Sequence, residues 1–300
     1  MPLFRFSFDA MASPNELQIW HDDETGARTL AETAIADVRR IEAKYSRYRD
    51  DSVTSRINRA AGGAAVAIDA ETYALLGYAG RCHRLSAGRF DITSGVLRRV
   101  WDFRRAPPRL PDQAEIAAAT ALIDWPSVEW SPGSVRLPRR GMEIDFGGIG
   151  KEYAADRMAT ICHESGAAHA LANLGGDVRA AGQQRDGSPW RVGISHPREP
   201  DAVMATVEID GGAVATSGDY QRFFDAGGRR YCHIIDARSG LPVTRWQSIS
   251  VIAPLCVLAG SCATIAMLLE DEAEAFLARE GVAYLAVDAA GVLHRPAQRA

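Results

Sequence analysis

Cysteine is scarce and charge is nearly balanced in this 300-residue chain, and each shortage excludes something. The five cysteines, Cys82, Cys162, Cys232, Cys256 and Cys262, are odd in number and widely spaced. They make no disulfide framework and fit reduced thiols in a cytoplasmic protein. Cys256 and Cys262 lie in an apolar run without further spaced ligands, so core packing is their expected role. The net charge of −4, with arginines scattered, gives no footprint for nucleic acid. No uncharged apolar run is long enough to cross a bilayer, so no membrane insertion is expected. The opening MPLFRFSFDAM lacks the charged lead, apolar core and small-residue cleavage site of a secretion signal. Low-complexity tails and tandem repeats are missing too. GGIGK is not a P-loop, and GxGxxG does not occur in a Rossmann setting.

What is present is an ordinary globular composition, 47% apolar and 24% charged. Three hundred residues suffice for a substantial core, in one domain over 1–300 or in two intimately joined lobes. Alternating or apolar runs predict strands at Phe4–Phe8, Glu16–Trp20, Ala168–Leu174, Trp190–Ser195, Met204–Ile209, Ala213–Ala215, Ser248–Ala253 and Val282–Val287. Hairpin arms are predicted at Val128–Trp130 with Val135–Leu137, and at Tyr220–Phe224 with Arg230–Ile235. Helical spacing predicts Thr29–Ser46, Ala70–Ser86 capped by Asp69, Asp112–Thr120, Ile149–Glu164, Cys256–Leu269 and a short helix near Asp271–Arg279. Residues 45 to 58 read as a polar surface loop with a few anchors. Many strands between glycine turns, with few long helices and no sustained βαβα alternation, predict an α+β fold.

The chain is organised around residues 142 to 182, MEIDFGGIGKEYAADRMATICHESGAAHALANLGGDVRAAG. This stretch reads as strand (Met142–Phe146), glycine turn, helix, strand and second glycine turn. Gly147, Gly148 and Gly150 let backbone approach a ligand closely. Backbone N–H groups at the following helix start can meet phosphate oxygens, and Lys151 adds a point charge. A structural turn explains the same glycines.

Several polar residues admit two readings each. Thr216 and Ser217 beside Gly218 and Asp219 offer phosphate donors and acceptors. His233 can exchange a proton near pH 7, with Asp236 orienting it or approaching magnesium through water. Equally, His233 is a satisfied strand histidine and Asp236 caps a turn. Asp145 and Asp177 are either carboxylates near a ribose, cation or reactive hydroxyl, or caps of their glycine turns. The hydroxyl of Thr264 most simply bonds to the preceding helical turn. Trp101 and Phe103 stack on a flavin or adenine, or belong to the core.

Taken together and in order, YSRYRDDSVTSRIN, GRFDITSGVLRRVWDF, DFGGIGKEYAADR, NLGGDVRAAG, WRVGISHP, AVATSGDYQRFF, RRYCHIIDARSGLPV and the helix carrying Ala263–Thr264 resemble the ApbE family of FAD:protein FMN transferases. The resemblance covers about Phe4 to Leu269. It implies mainly antiparallel sheets flanked by helices around a central ligand cleft. It also implies a reaction: a threonine hydroxyl of a partner flavoprotein attacks the FMN-side phosphorus of FAD, with Mg2+ near the pyrophosphate, and AMP leaves. By the same resemblance, Ser46, Ser52 and Asn58 face the nucleotide. Gly147, Gly148, Gly150 and Lys151 form the flavin-nucleotide turn. Asn173, Gly175, Gly176 and Asp177 line the cleft. Thr216, Ser217, Gly218 and Asp219 form another wall, joined by His233 and Asp236. A main-chain carbonyl near Gly150 and the Thr264 hydroxyl face the metal. Proton handling falls to His233, Asp236 or Asp177.

The chain departs from this pattern at Gly260, where the resemblance implies a metal-binding aspartate one helical turn before Thr264. Glu152 stands where glycine is usual, and Met11-Ala12-Ser13 replaces a Met-Gly-Thr-like opening. Weak magnesium binding or lost transfer would follow from a missing carboxylate. The alternatives are a flavin-binding protein with little or no transferase activity, and an FAD pyrophosphate hydrolase giving FMN and AMP.

Overall fold

The structure, a computed structural model, describes residues 1–296. Along the chain come β1 (Leu3–Ala10), β2 (Ser13–Trp20), α1 (Glu24–Tyr45), α2 (Val53–Arg59), β3 (Val66–Ala67), α3 (Ala70–Leu85), α4 (Gln113–Thr120), β4 (Glu129–Ser131), β5 (Ser134–Arg136), α5 (Gly150–Glu164), β6 (Ala170–Leu174) and β7 (Asp177–Ala181). There follow β8 (Trp190–Ser195), β9 (Val203–Ile209), β10 (Gly212–Gly218), β11 (Phe223–Ala226), β12 (Arg229–Cys232), β13 (Ile235–Asp236), β14 (Leu241–Pro242), β15 (Trp246–Ala253), α6 (Cys256–Leu269), α7 (Ala273–Glu280), β16 (Ala283–Asp288) and β17 (Leu293–His294). Eight strands form one sheet in the order β1-β2-β6-β7-β10-β15-β16-β17, with every neighbouring pair antiparallel. The fold is α+β, as the strand-rich pattern predicts. No helix among the described residues is long and apolar enough to cross a membrane.

Period-two alternation sorts the sheet into two faces. Leu17, Ile19, Ala172, Leu174, Ala213, Ala215, Ile249 and Val251 join the main core beneath α1, α5 and α6. Leu171, Val178, Ala180 and Val214 point the other way and are covered by Trp190, Val192, Ile194 and Ile209 of the β8–β9 hairpin. Because both faces are covered, β15 is buried along nearly its whole length. Helix α6 is apolar nearly all round because it lies between the sheet, α5 and α7. Its own N-cap is Leu255, which cannot cap. Asp156 of α5 does so instead, accepting from the N–H groups of Cys256 at 2.8 Å and Val257 at 2.9 Å.

Several expectations need correction. Met142–Phe146 forms no ladder beyond a single bridge between Ser94 and Glu143. The Asn58 amide takes the place of a neighbouring strand, bonding the N–H of Ile144 at 2.7 Å and its carbonyl at 3.0 Å. Residues 53 to 59 are helix, not loop, because Ser52 accepts from the Ser55 N–H and caps α2. Helix α1 begins at Glu24 rather than Thr29, since Asp23 caps it through the Gly26 N–H at 2.8 Å. The first two strands extend beyond Phe8 and before Glu16 to meet at Met11–Ala12, both at positive φ (54° and 58°). Strand β7 went unforeseen, and the later hairpin forms at Phe223–Ala226 with Arg229–Cys232 rather than over Tyr220–Phe224 and Arg230–Ile235.

Candidate active site

Strand β10 runs past its partner on one side. Its last pair with β7 is Val214 with Val178, whereas Ala215–Gly218 remain paired only with β15. On the β7 side the chain has already turned at Gly175–Gly176, both at positive φ (58° and 94°), as a two-residue hairpin loop requires. A Cβ at Gly175 would lie 2.7 Å from the Ser13 hydroxyl, so no larger residue fits without a shift. Asp177 opens β7 and is 4% exposed. The Thr216 backbone N–H lies near its carboxylate and favours the charged form. Lys151, in the first turn of α5, places Nζ 2.8 Å from Asp177 Oδ2 and 3.4 Å from the Gly175 carbonyl. Ser217 Oγ and Thr264 Oγ1 are 2.7 Å apart, which ties β10 to α6. Thus the start of α5, the β6–β7 turn, the overhanging end of β10 and the middle of α6 meet in one place.

The electrostatics of that place are unbalanced. Glu152, next to Lys151, is buried, and its Oε2 has no hydrogen-bond partner. Burial pushes Glu152 up, Asp177 adds to this, and Lys151 opposes it. Burial likewise pushes Asp177 up against the pull of Lys151. For Lys151, burial alone would lower the ammonium, but Asp177 and Glu152 outweigh it and its pKa is raised. Two buried carboxylates therefore share one cation. His233 is lowered to about 4 by burial and by the charges of Arg222 and Lys151, so its ring is neutral at pH 7. Its Nδ1 is buried without a partner.

A sequence model of the ApbE family matches residues 11–286. An FAD:protein FMN transferase of Vibrio cholerae is 32% identical over 238 residues, spanning 77% of this chain and 71% of that protein. One from Treponema pallidum is 33% identical over 258 residues, 80% of this chain and 71% of its own length. This chain belongs to the ApbE family. The fold agrees. The crystal structure of the ApbE protein from Thermotoga maritima superposes with a TM-score of 0.90 at 30% identity, covering 98% of this chain and 97% of that one. The apo flavinyl transferase ApbE of Pseudomonas stutzeri gives 0.86 at 28% identity, covering 98% and 94%.

Within this ApbE-family chain the anticipated residues divide into two sets. Gly150, Lys151, Gly175, Gly176, Asp177, Thr216, Ser217 and Thr264 come together as described. Asn173 stands at the same turn, accepting from the Gly176 N–H at 2.9 Å. Gly147 and Gly148 precede α5. The Gly147 N–H bonds Asp145, and a Cβ at Gly148 would press on the Phe90 ring at 3.1 Å. Gly218 lies against Tyr220, where a Cβ would approach the ring to 2.3 Å. Thr264 corrects one expectation: its hydroxyl reaches Ser217 on the sheet rather than the preceding helical turn.

The other residues have partners of their own. Ser52 caps α2, Ser46 accepts from the Tyr48 N–H, and Asn58 holds Ile144. Trp101 is 3% exposed, donates to the Gly240 carbonyl, and stacks with Phe103, Phe224 and Tyr231 in a separate aromatic cluster. Asp236 does not orient His233. It pairs with Arg89 at 2.7 Å and caps its own turn through the Arg238 N–H. Asp219 is held in a bidentate pair by Arg198, both contacts at 2.7 Å. Arg198 and Arg89 went unnoticed in the sequence, because an arginine's partner twenty or more residues away leaves no local spacing.

Proposed function

We propose that this protein, acting as one domain, transfers FMN from FAD to a threonine hydroxyl of a partner flavoprotein and releases AMP. The observation that carries the reading is the meeting of Lys151, Asp177 and the Ser217–Thr264 hydroxyl pair around the β6–β7 glycine turn, in a chain of this family. The cleft we assign to FAD lies along that turn. Two described cavities, of about 650 and 530 Å3, lie elsewhere, one around His83 and Asp91 and one along β1 and α1. The buried, scattered cysteines support a reducing, cytoplasmic setting.

The residues at the cleft fit a magnesium ion. A buried carboxylate oxygen lacks a partner there, and carboxylates outnumber cations. Magnesium commonly uses one or two carboxylates and completes its shell with substrate phosphates and water. The Gly150 carbonyl and the Thr264 hydroxyl would hold it, and once bound it would neutralise pyrophosphate charge.

The chain's own residues carry the rest. Lys151 adds positive charge beside the phosphates, and the N–H groups opening α5 add theirs. Asp177 fixes Lys151, and Ser217 fixes the Thr264 hydroxyl. Neutral His233, with Nδ1 free, would accept a hydrogen bond from the attacking hydroxyl and align it. The new bond joins the threonine oxygen to the FMN-side phosphorus, the pyrophosphate P–O bond breaks, AMP carries away the electron pair, and the threonine proton passes to the site.

One assay tests this. Purified protein is incubated with FAD, Mg2+ and a threonine-bearing flavoprotein acceptor. The reading requires AMP together with a covalently flavinylated acceptor. Free FMN with AMP and no adduct would mean hydrolysis, and FAD bound but unconsumed would mean a flavin-binding protein. Either result sinks the transferase reading.

A further inference from the structure

We infer that Glu152, reaching from α5 into the space that a side chain at Gly260 would fill, supplies the metal-facing carboxylate of this site from the opposite helix. The inference rests on the flavin-transfer reading above.

The geometry is direct. A Cβ built on Gly260 would lie 2.5 Å from Glu152 Cγ, 2.8 Å from its Oε1 and 3.0 Å from its Cδ. Residues 152 and 260 therefore share one volume, and only one of them can fill it. Position 260 is one turn before Thr264 on the same helix face, so a group placed there is a neighbour of the Thr264 hydroxyl. Glu152 thus puts its carboxylate where a residue-260 carboxylate would stand. The resemblance implies aspartate at 260 and glycine at 152, and this chain has glycine at 260 and glutamate at 152. The exchange conserves charge and adds only one methylene across the α5–α6 contact, whereas a lone loss at 260 would leave a hole.

An independent observation points to a ligand. Glu152 is 8% exposed, yet its Oε2 has no partner in the protein. A buried carboxylate oxygen left unpaired is costly. Lys151 is already engaged by Asp177 at 2.8 Å. A divalent cation at the Glu152–Thr264 corner would satisfy the orphan oxygen and balance the second carboxylate. Among the described residues no group of three or more His, Cys, Asp or Glu gathers as a metal site. Magnesium commonly takes one or two carboxylates and completes its shell with phosphate and water. Aspartate added alone at 260 would collide with Glu152 rather than repair the site.

Mn2+ serves as the probe, its binding read from loss of the free-ion EPR signal with FAD present and no acceptor. FAD affinity is read separately, without metal, from flavin fluorescence. Glu152→Gln should weaken Mn2+ at least about tenfold and leave metal-free FAD affinity within about twofold. The reciprocal variant E152G/G260D should return Mn2+ affinity to within about threefold of the parent. Metal should also raise the Tm of the parent and of the reciprocal variant, but not that of E152Q. The inference is overturned if E152Q binds Mn2+ as tightly as the parent, or if folded E152G/G260D binds it no better than E152Q. It is equally overturned if the parent binds FAD but no Mn2+. A parent that binds no FAD removes the flavin reading itself and this inference with it, a result distinct from the others.

Discussion

Alanine at position 260 isolates the shared volume from the shared charge. Carbon atoms in ordinary contact sit about 3.5–4.0 Å apart, and the new Cβ would meet Glu152 Cγ at 2.5 Å. Glu152 must then retreat by roughly 1 Å inside a packed interior, an overpacking cost of about 1–3 kcal/mol. Against this, alanine gains about 1 kcal/mol over glycine in a helix interior. Gly260→Ala in the parent should therefore be neutral to destabilising by about 2 kcal/mol. In a Glu152→Gly background the obstacle is gone, and the same substitution should stabilise by about 1 kcal/mol. The coupling between the two sites is then about 1–3 kcal/mol. Equilibrium unfolding in urea of the four proteins of the cycle measures it, and each kcal/mol corresponds to about 2 °C in Tm for a chain of this length. Equal effects of Gly260→Ala in both backgrounds would refute the claim that Glu152 fills the space at 260.

Two other outcomes follow from the packing. Asp156→Ala removes the carboxylate that caps α6 from α5 and leaves the Cys256 and Val257 N–H groups unpaired. The loss should be about 2–4 kcal/mol, and an unfolding midpoint unchanged within error would contradict the capping role. Glu71 is lowered to about 2 by Arg40, with Lys44 and Tyr153 assisting, from an ordinary value of 4.5. It holds its proton less tightly folded than unfolded, so its contribution is complete above pH 4.5 and lost as pH falls towards 2. After solvent screening this is about 1 kcal/mol. Glu71→Gln should flatten the acid limb of stability against pH relative to the parent, and parallel limbs would argue against the network.

Much of the fold was legible because its cause is local. Ala170–Leu174 alternates between the two cores, Asp69 caps α3 through the Thr72 N–H at 2.9 Å, and the glycines of the β6–β7 turn mark its positive φ angles. Where local signals misled, a distant partner had intervened. The apolar stretch at Met142–Phe146 satisfies its backbone with the Asn58 side chain instead of a strand. Asp236 and His233, close in sequence and suggestive of a dyad, make no hydrogen bond to each other, and Arg89, nearly 150 residues away, pairs with the carboxylate instead.

The sequence by itself determined the class of fold, most of its elements and the family, because hydrophobic period, turn residues and ordered motifs are all written along the chain. Only the tertiary structure decided which polar groups share a site. It brought Ser217 to Thr264 and Lys151 to Asp177, and left Trp101 in a cluster of its own. It also turned two separate departures, Glu152 and Gly260, into one. The physical reason is that volume and charge are balanced in space. Two residues more than a hundred apart can exchange their parts when facing helices bring them to the same few ångströms.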